Sequence, residues 1–139
     1  MNPNGVPIPP ERAKAARDVA AALASAGHVV LTTHVNADGD GVGSEVGLWH
    51  LLRARGVSAR IVNPTGIPDR FQFLIPDGAD ASGDAAREFQ RADVVASLDI
   101  GDLSRLGNLA TLISKRQPPF VCIDHHVGPV KLPAGPYLI

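Results

Sequence analysis

The chain has 139 residues, 45% of them hydrophobic and 19% charged, and a formal net charge of −1. That length suits one compact domain, and the apolar share is too high for intrinsic disorder. The near-neutral balance excludes a partner held mainly by charge, such as duplex nucleic acid or an anionic membrane surface. The single cysteine, Cys122, leaves no internal disulfide and no Cys-x-x-Cys metal site.

Residues 1–10 carry four prolines and no charged side chain, so they read as a flexible leader rather than a signal peptide. No stretch approaches the ~18 uninterrupted apolar residues of a membrane span, and the expected location is the cytoplasm. From Glu11 an alanine-rich segment predicts a helix, with Pro10 at its first turn and Gly27 as its stop. His28–Thr33 is a short apolar, β-branched run of the kind a buried parallel strand needs. A glycine-rich turn follows, Asn36-Ala-Asp-Gly-Asp-Gly-Val-Gly. It leads into a second helix expected over Ser44–Arg55, which Gly56 closes.

Ser58–Val62 predicts a second strand, and Asn63–Asp84 a loop with one helical turn at Arg70–Leu74. A short helix at Ala85–Arg91 precedes a third strand, Val94–Asp99. A fourth helix, Leu109–Arg116, precedes a fourth strand, Phe120–Asp124. Strands alternating with helices predict an α/β fold with a mostly parallel sheet and flanking helices.

Three polar clusters begin where apolar strands end: His34 to Asp40, Asp99 to Asp102, and Asp124-His125-His126. In an open parallel sheet the C-terminal strand ends share one edge, where ligands bind, so clusters distant in sequence should converge. Three of the five histidines fall in this set. Unneutralised, the grouped carboxylates would repel one another. Divalent ions remove that conflict, and mixed carboxylate and imidazole ligands favour manganese over magnesium, cobalt, iron or zinc. A pair of such ions about 3.5–4 Å apart is the usual device for hydrolysing a phosphoester.

Rival motifs fail on spacing. A calcium loop opening at Asn36 needs a glutamate at its twelfth position, where Gly47 stands. A dinucleotide fingerprint opening at Gly41 needs a glycine at residue 46, which is Val46. Asp102 reads as a helix cap, His28 and His50 as structural, and Cys122 as a buried, unreactive strand residue. Trp49, Leu48, Leu51 and Leu52 are core or interface candidates, the latter consistent with a homodimer.

Thr33-His34-Val-Asn36-Ala-Asp38-Gly-Asp40-Gly-Val-Gly-Ser44, then Leu98-Asp99-Ile-Gly101-Asp102, then Cys122-Ile-Asp124-His125-His126 resemble motifs I, II and III of the DHH phosphoesterase family. The resemblance runs from His28 to the C-terminus and implies a parallel α/β domain with two manganese ions. By position it implies that His34 and Asp38 hold one metal, Asp40 and His125 the other, and that Asp99 bridges them. Asp124 would orient His125 from behind, and His126 would reach the substrate phosphate. Ser44, at the start of the expected helix, is a candidate phosphate contact.

Gly39 between the two aspartates resembles the branch that cleaves short oligoribonucleotides and 3′-phosphoadenosine 5′-phosphate, where pyrophosphatases carry threonine. Ala37 departs from that branch's usual proline without removing a ligand. The expected activity is metal-dependent phosphoester hydrolysis on a short nucleotide or small phosphate ester. Alternatives are a pyrophosphatase or exopolyphosphatase, a cyclic-dinucleotide phosphodiesterase, or a catalytically incomplete metal- or nucleotide-binding remnant. The family also has a fourth, aspartate-bearing motif and a C-terminal substrate domain, and no acidic residue follows His126. Residues 11–139 therefore read as the DHH-type metal-binding domain cut before that motif, with the substrate domain missing and activity weak or absent in isolation.

Overall fold

The computed structural model describes residues 5–139. Residues 1–4 of the expected leader lie outside the described set. Residues 5–9 form no regular element, and helix α1 spans Pro10–Ala24, with proline at its first position. Then follow β1 (His28–Thr32), α2 (Gly39–Ala54), β2 (Ser58–Ile61), α3 (Ala85–Arg91), β3 (Val94–Leu98), α4 (Leu109–Arg116), β4 (Phe120–Ile123) and β5 (Tyr137–Leu138). Short 3₁₀ turns occupy Asp69–Leu74, Ser82–Asp84 and Leu103–Leu106.

The five strands form one sheet in the order β2-β1-β3-β4-β5, and every pairing is parallel. The fold is α/β, as the alternation of elements predicts. Every residue of β1 and of β3 is buried, which explains their near-continuous apolar runs. The two-residue period of the strand divides the core between the two faces. Val29 and Leu31 join Val19 and Leu23 of α1 and Leu52 of α2 on one face. Val30 and Val95 meet Phe89 of α3, Ile113 of α4 and Phe120 on the other. His28 is structural, its Nε2 2.8 Å from buried Glu88. Trp49 is half-buried and donates its indole N–H to Ala59 O, whereas Leu51 stays exposed.

Two elements differ from the sequence expectation. Helix α2 begins at Gly39, not Ser44, so most of the glycine-rich segment is helical rather than a turn. Asp38 starts it by capping, accepting from the backbone N–H groups of Asp40 (3.1 Å) and Gly41 (3.0 Å). Gly41 serves packing: a Cβ there would sit 2.6 Å from Thr33 Oγ1. The second difference is β5, which no apolar run announces because two residues carry no periodicity.

The strand order reverses between β1 and β3. β1 is followed outward by β2, and β3 by β4 and β5, so the loops leaving β1 and β3 diverge over a crevice at their C-terminal ends. The site lies there.

Candidate metal centre

Three strand exits build the site. The segment leaving β1 is pinned from both sides. Thr33 donates its N–H to Asn63 Oδ1 beyond β2 and its hydroxyl to Leu98 O at the end of β3. Val35 N–H donates to Arg105 O, and Asn36 N–H to Thr65 Oγ1. Asn36 adopts φ 53°, a left-handed turn that asparagine tolerates better than most residues. Together these contacts aim His34 inward and set Asp38 at the head of α2.

His34 is buried, and its Nδ1 lies 2.8 Å from Val35 O. A carbonyl can only accept, so Nδ1 carries a proton, and Nε2 is the ring nitrogen turned to the centre. Nε2 faces carboxylates: it lies 3.7 Å from Asp38 Oδ2 and 3.6 Å from Asp99 Oδ2. Asp99 continues the β3–β4 ladder, donating its N–H to Ile123 O, then turns at φ 61°. Its buried carboxylate lies at the centre of the group. Oδ1 is 3.1 Å from His125 Nε2 and 3.6 Å from His126 Nδ1. His125 Nε2 in turn lies 3.2 Å from Asp40 Oδ2.

The ligand-type atoms of His34, Asp38 and Asp99 all fall within 4.8 Å of one another, as do those of Asp99, Asp124, His125 and His126. Asp99 belongs to both groups. Burial raises its carboxyl above the ordinary range, and the negative charges of Asp40 and Asp38 add to this. Asp38 moves the other way, held down chiefly by the hydrogen bond from the Gly41 backbone. A buried carboxylate destabilised by two neighbours marks a site short of positive charge, and nitrogen and oxygen donors at this spacing fit divalent cations.

Asp124 sits otherwise than expected. Its Oδ1 accepts from the backbone N–H groups of both His125 and His126, and lies 2.6 Å from the ring Nδ1 of His126. The carboxylates beside the His125 ring are Asp99 and Asp40. Asp124 thus orients the ring of His126, and reaches His125 through its main chain alone. Hydrogen bonding to Asp124 raises the His126 pKa, and the Asp124 charge adds to it. A carboxylate accepts, so His126 Nδ1 carries the hydrogen of that bond and the ring is held in one orientation. Asp102 caps the 3₁₀ turn after β3 by accepting from the N–H and hydroxyl of Ser104.

Two clefts open from this centre. One of about 290 Å³ is lined by His126, Asp124, Arg105 and Lys131 among others. The second, about 270 Å³, is lined by Asp40, Ser44, Asp99, His125, Leu138 and Arg12 among others. Ser44 therefore faces the site, though it lies in the second turn of α2 rather than at its start. Sequence reading singled out neither arginine. The charge of Arg105 acts on Asp38 and His126, yet it stands six positions after Asp99 and no motif marks it. The sequence also gave no sign of Glu45, which is fully buried behind the site.

Among solved structures, the fold is similar to an exopolyphosphatase-related protein from Bacteroides fragilis, with a TM-score of 0.75 and 24% identity over 84% of this chain and 36% of that one. It is also similar to exonuclease RecJ bound to manganese, with a TM-score of 0.51 and 20% identity over 95% of this chain and 31% of that one. Among characterised sequences, the bifunctional oligoribonuclease and PAP phosphatase NrnA of Thermus thermophilus is 30% identical over 100 residues. That alignment takes in 72% of this chain and 28% of the relative's length. The N-terminal domain of the DHH family matches residues 28–138, the span that carries all three motifs, and the chain belongs to the DHH family.

Proposed function

We propose that this chain forms the metal-binding domain of a phosphoesterase acting on short oligoribonucleotides or 3′-phosphoadenosine 5′-phosphate. Two divalent ions, manganese foremost, would supply a hydroxide near neutral pH and neutralise phosphoryl charge. The observation that carries the reading is Asp99, shared by two groups of ligand-type side chains. His34 and Asp38 would hold one ion, and His125 with Asp40, whose Oδ2 lies 3.2 Å from His125 Nε2, would hold the other, with Asp99 shared.

The remaining residues position the substrate. His126, its ring oriented by the hydrogen bond to Asp124, contacts the substrate phosphate. Ser44 offers a hydroxyl in the adjoining cleft. A nucleotide substrate is supported by the likeness to the Thermus oligoribonuclease and PAP phosphatase and by Gly39 between the paired aspartates. The chain spans only about a quarter of that relative's length.

Manganese calorimetry and dinucleotide hydrolysis in wild type, Asp99→Asn and His34→Ala test the reading. Asparagine tolerates the positive φ of this position, so Asp99→Asn tests charge without straining the turn. Asp99 would serve both ions, and several kcal/mol of transition-state stabilisation should vanish with its charge, about three powers of ten in rate. His34→Ala serves one ion and should lose less. An Asp99→Asn protein that keeps most of its activity overturns the assignment.

A further inference from the structure

The cleft beside the metal centre contains one charged residue that belongs to none of the motifs. Arg12 comes from the first turn of α1, before the family match begins at residue 28. It lines the same cleft as Asp40, Ser44, Asp99 and His125. Helix α1 packs over β4 and β5 and buries Val19 and Leu23, and this docking brings its N-terminal end to the mouth of the site.

Helix stability gives no reason for an arginine here. The N-terminal turn of a helix carries partial positive charge, and a cation there is unfavourable. Glu11, the neighbouring acid in that turn, is the residue the dipole favours. Among the described residues the Arg12 guanidinium has neither a hydrogen bond nor an ion pair, and the side chain is exposed. Lys14, two residues on, is paired with Asp18, so this helix does satisfy a cation where a partner is local.

The cleft's carboxylates are already committed. Asp40 and Asp99 face His125, and Asp124 is engaged by His126. In the proposed enzyme they hold cations or orient a ring, leaving Arg12 as the group open to an incoming anion. A guanidinium offers a planar fork of donors that matches phosphate oxygens. Ser44 adds a hydroxyl to the same wall.

We propose that Arg12, assisted by Ser44, binds a second phosphate of the substrate, one that neighbours the scissile phosphate and is not itself cleaved. This rests on the phosphoesterase reading and adds a selectivity to it: substrates with two phosphates are preferred over those with one. Both nucleotide classes proposed above carry such a second group. Arg12 acts on substrate affinity and leaves the chemical step to the metal centre.

The test compares matched substrates in the complete protein with manganese. One arm uses a dinucleotide with and without a 5′-phosphate; the other uses adenosine 3′,5′-bisphosphate and adenosine 3′-phosphate. Arg12→Ala should raise KM about tenfold more on the doubly phosphorylated member of a pair than on its partner, with kcat within twofold. Arg12→Lys should recover part of the difference, since charge remains but the fork is lost. The arm that shows the difference identifies which substrate the subsite serves.

Calorimetric binding of a 5′-phosphorylated dinucleotide with a non-hydrolysable methylene linkage separates this inference from the one it rests on. Binding that weakens about tenfold in Arg12→Ala, without turnover of the natural dinucleotide by wild type, upholds Arg12 and removes the catalytic reading. Equal binding by the two proteins, no binding by wild type, or the same KM change on both members of every pair overturns the role of Arg12.

Discussion

Glu45 offers a quantitative test of how the site is supported. Its side chain is fully buried on α2. Oε2 accepts from Asn63 Nδ2 at 2.9 Å, Oε1 has no partner among the described residues, and Asn63 Oδ1 accepts from Thr33 N–H on the segment leading to His34. Burial pushes the carboxyl from 4.5 up to about 8, against the opposing pull of the Asn63 hydrogen bond. The folded protein therefore holds a proton at pH 7 that the unfolded chain releases.

The sign follows from linkage. Between pH 4.5 and about 8 the folded state binds more protons, so stability is greatest below the unfolded pKa and falls as pH rises through the folded one. At 1.36 kcal/mol per pH unit, the loss by pH 7 is about 3 kcal/mol. Glutamine has the shape of the protonated acid and can still accept from Asn63, but it does not ionise. Urea unfolding of wild type and Glu45→Gln from pH 5 to 9, followed by circular dichroism, measures the difference. The variant should gain less than about 1 kcal/mol at pH 5 and about 3 kcal/mol at pH 7, levelling off above pH 8. A stability difference independent of pH would refute the argument.

Two further outcomes are expected. Gly41→Ala should destabilise by roughly 1–3 kcal/mol in thermal unfolding, because the new Cβ would lie 2.6 Å from the Thr33 hydroxyl, which is itself fixed on Leu98 O. Gly43→Ala, with nothing within 4 Å, is the control and should stabilise by roughly 0.5–1 kcal/mol; equal effects would remove the packing explanation. Cys122 is buried beside Ile100 O, and burial pushes its thiol up to about 11. It should resist a thiol reagent at pH 8 until the protein is denatured, and rapid labelling of the folded protein would contradict this.

Residues 28–32, 94–98 and 120–123 could be recognised as buried strands from composition alone, because a strand covered on both faces is largely apolar. His34, Asp38, Asp40, Asp99 and His125 could be recognised as one set because each stands just past such a strand, and a parallel sheet sends those ends to one edge. The start of α2 was hidden. Glycines at 39, 41 and 43 carry the signature of a turn, and only the approach of Gly41 to Thr33 shows that packing outweighs their poor helix propensity. The ring partner of Asp124 was hidden too. Adjacent histidines are equivalent in sequence, and the backbone path after β4 decides that His126 receives the carboxylate while His125 turns to Asp99.

The sequence by itself determined the layered parallel fold and the chemical type of the centre, since both follow from local patterns repeated at each strand end. Only the tertiary structure decided which residues from outside those patterns join them. Glu45 faces inward because of where α2 begins, Arg105 approaches Asp38 because the chain turns back after β3, and Arg12 reaches the cleft because α1 docks on β4 and β5. Each depends on packing between segments far apart in the chain, and no local spacing encodes it.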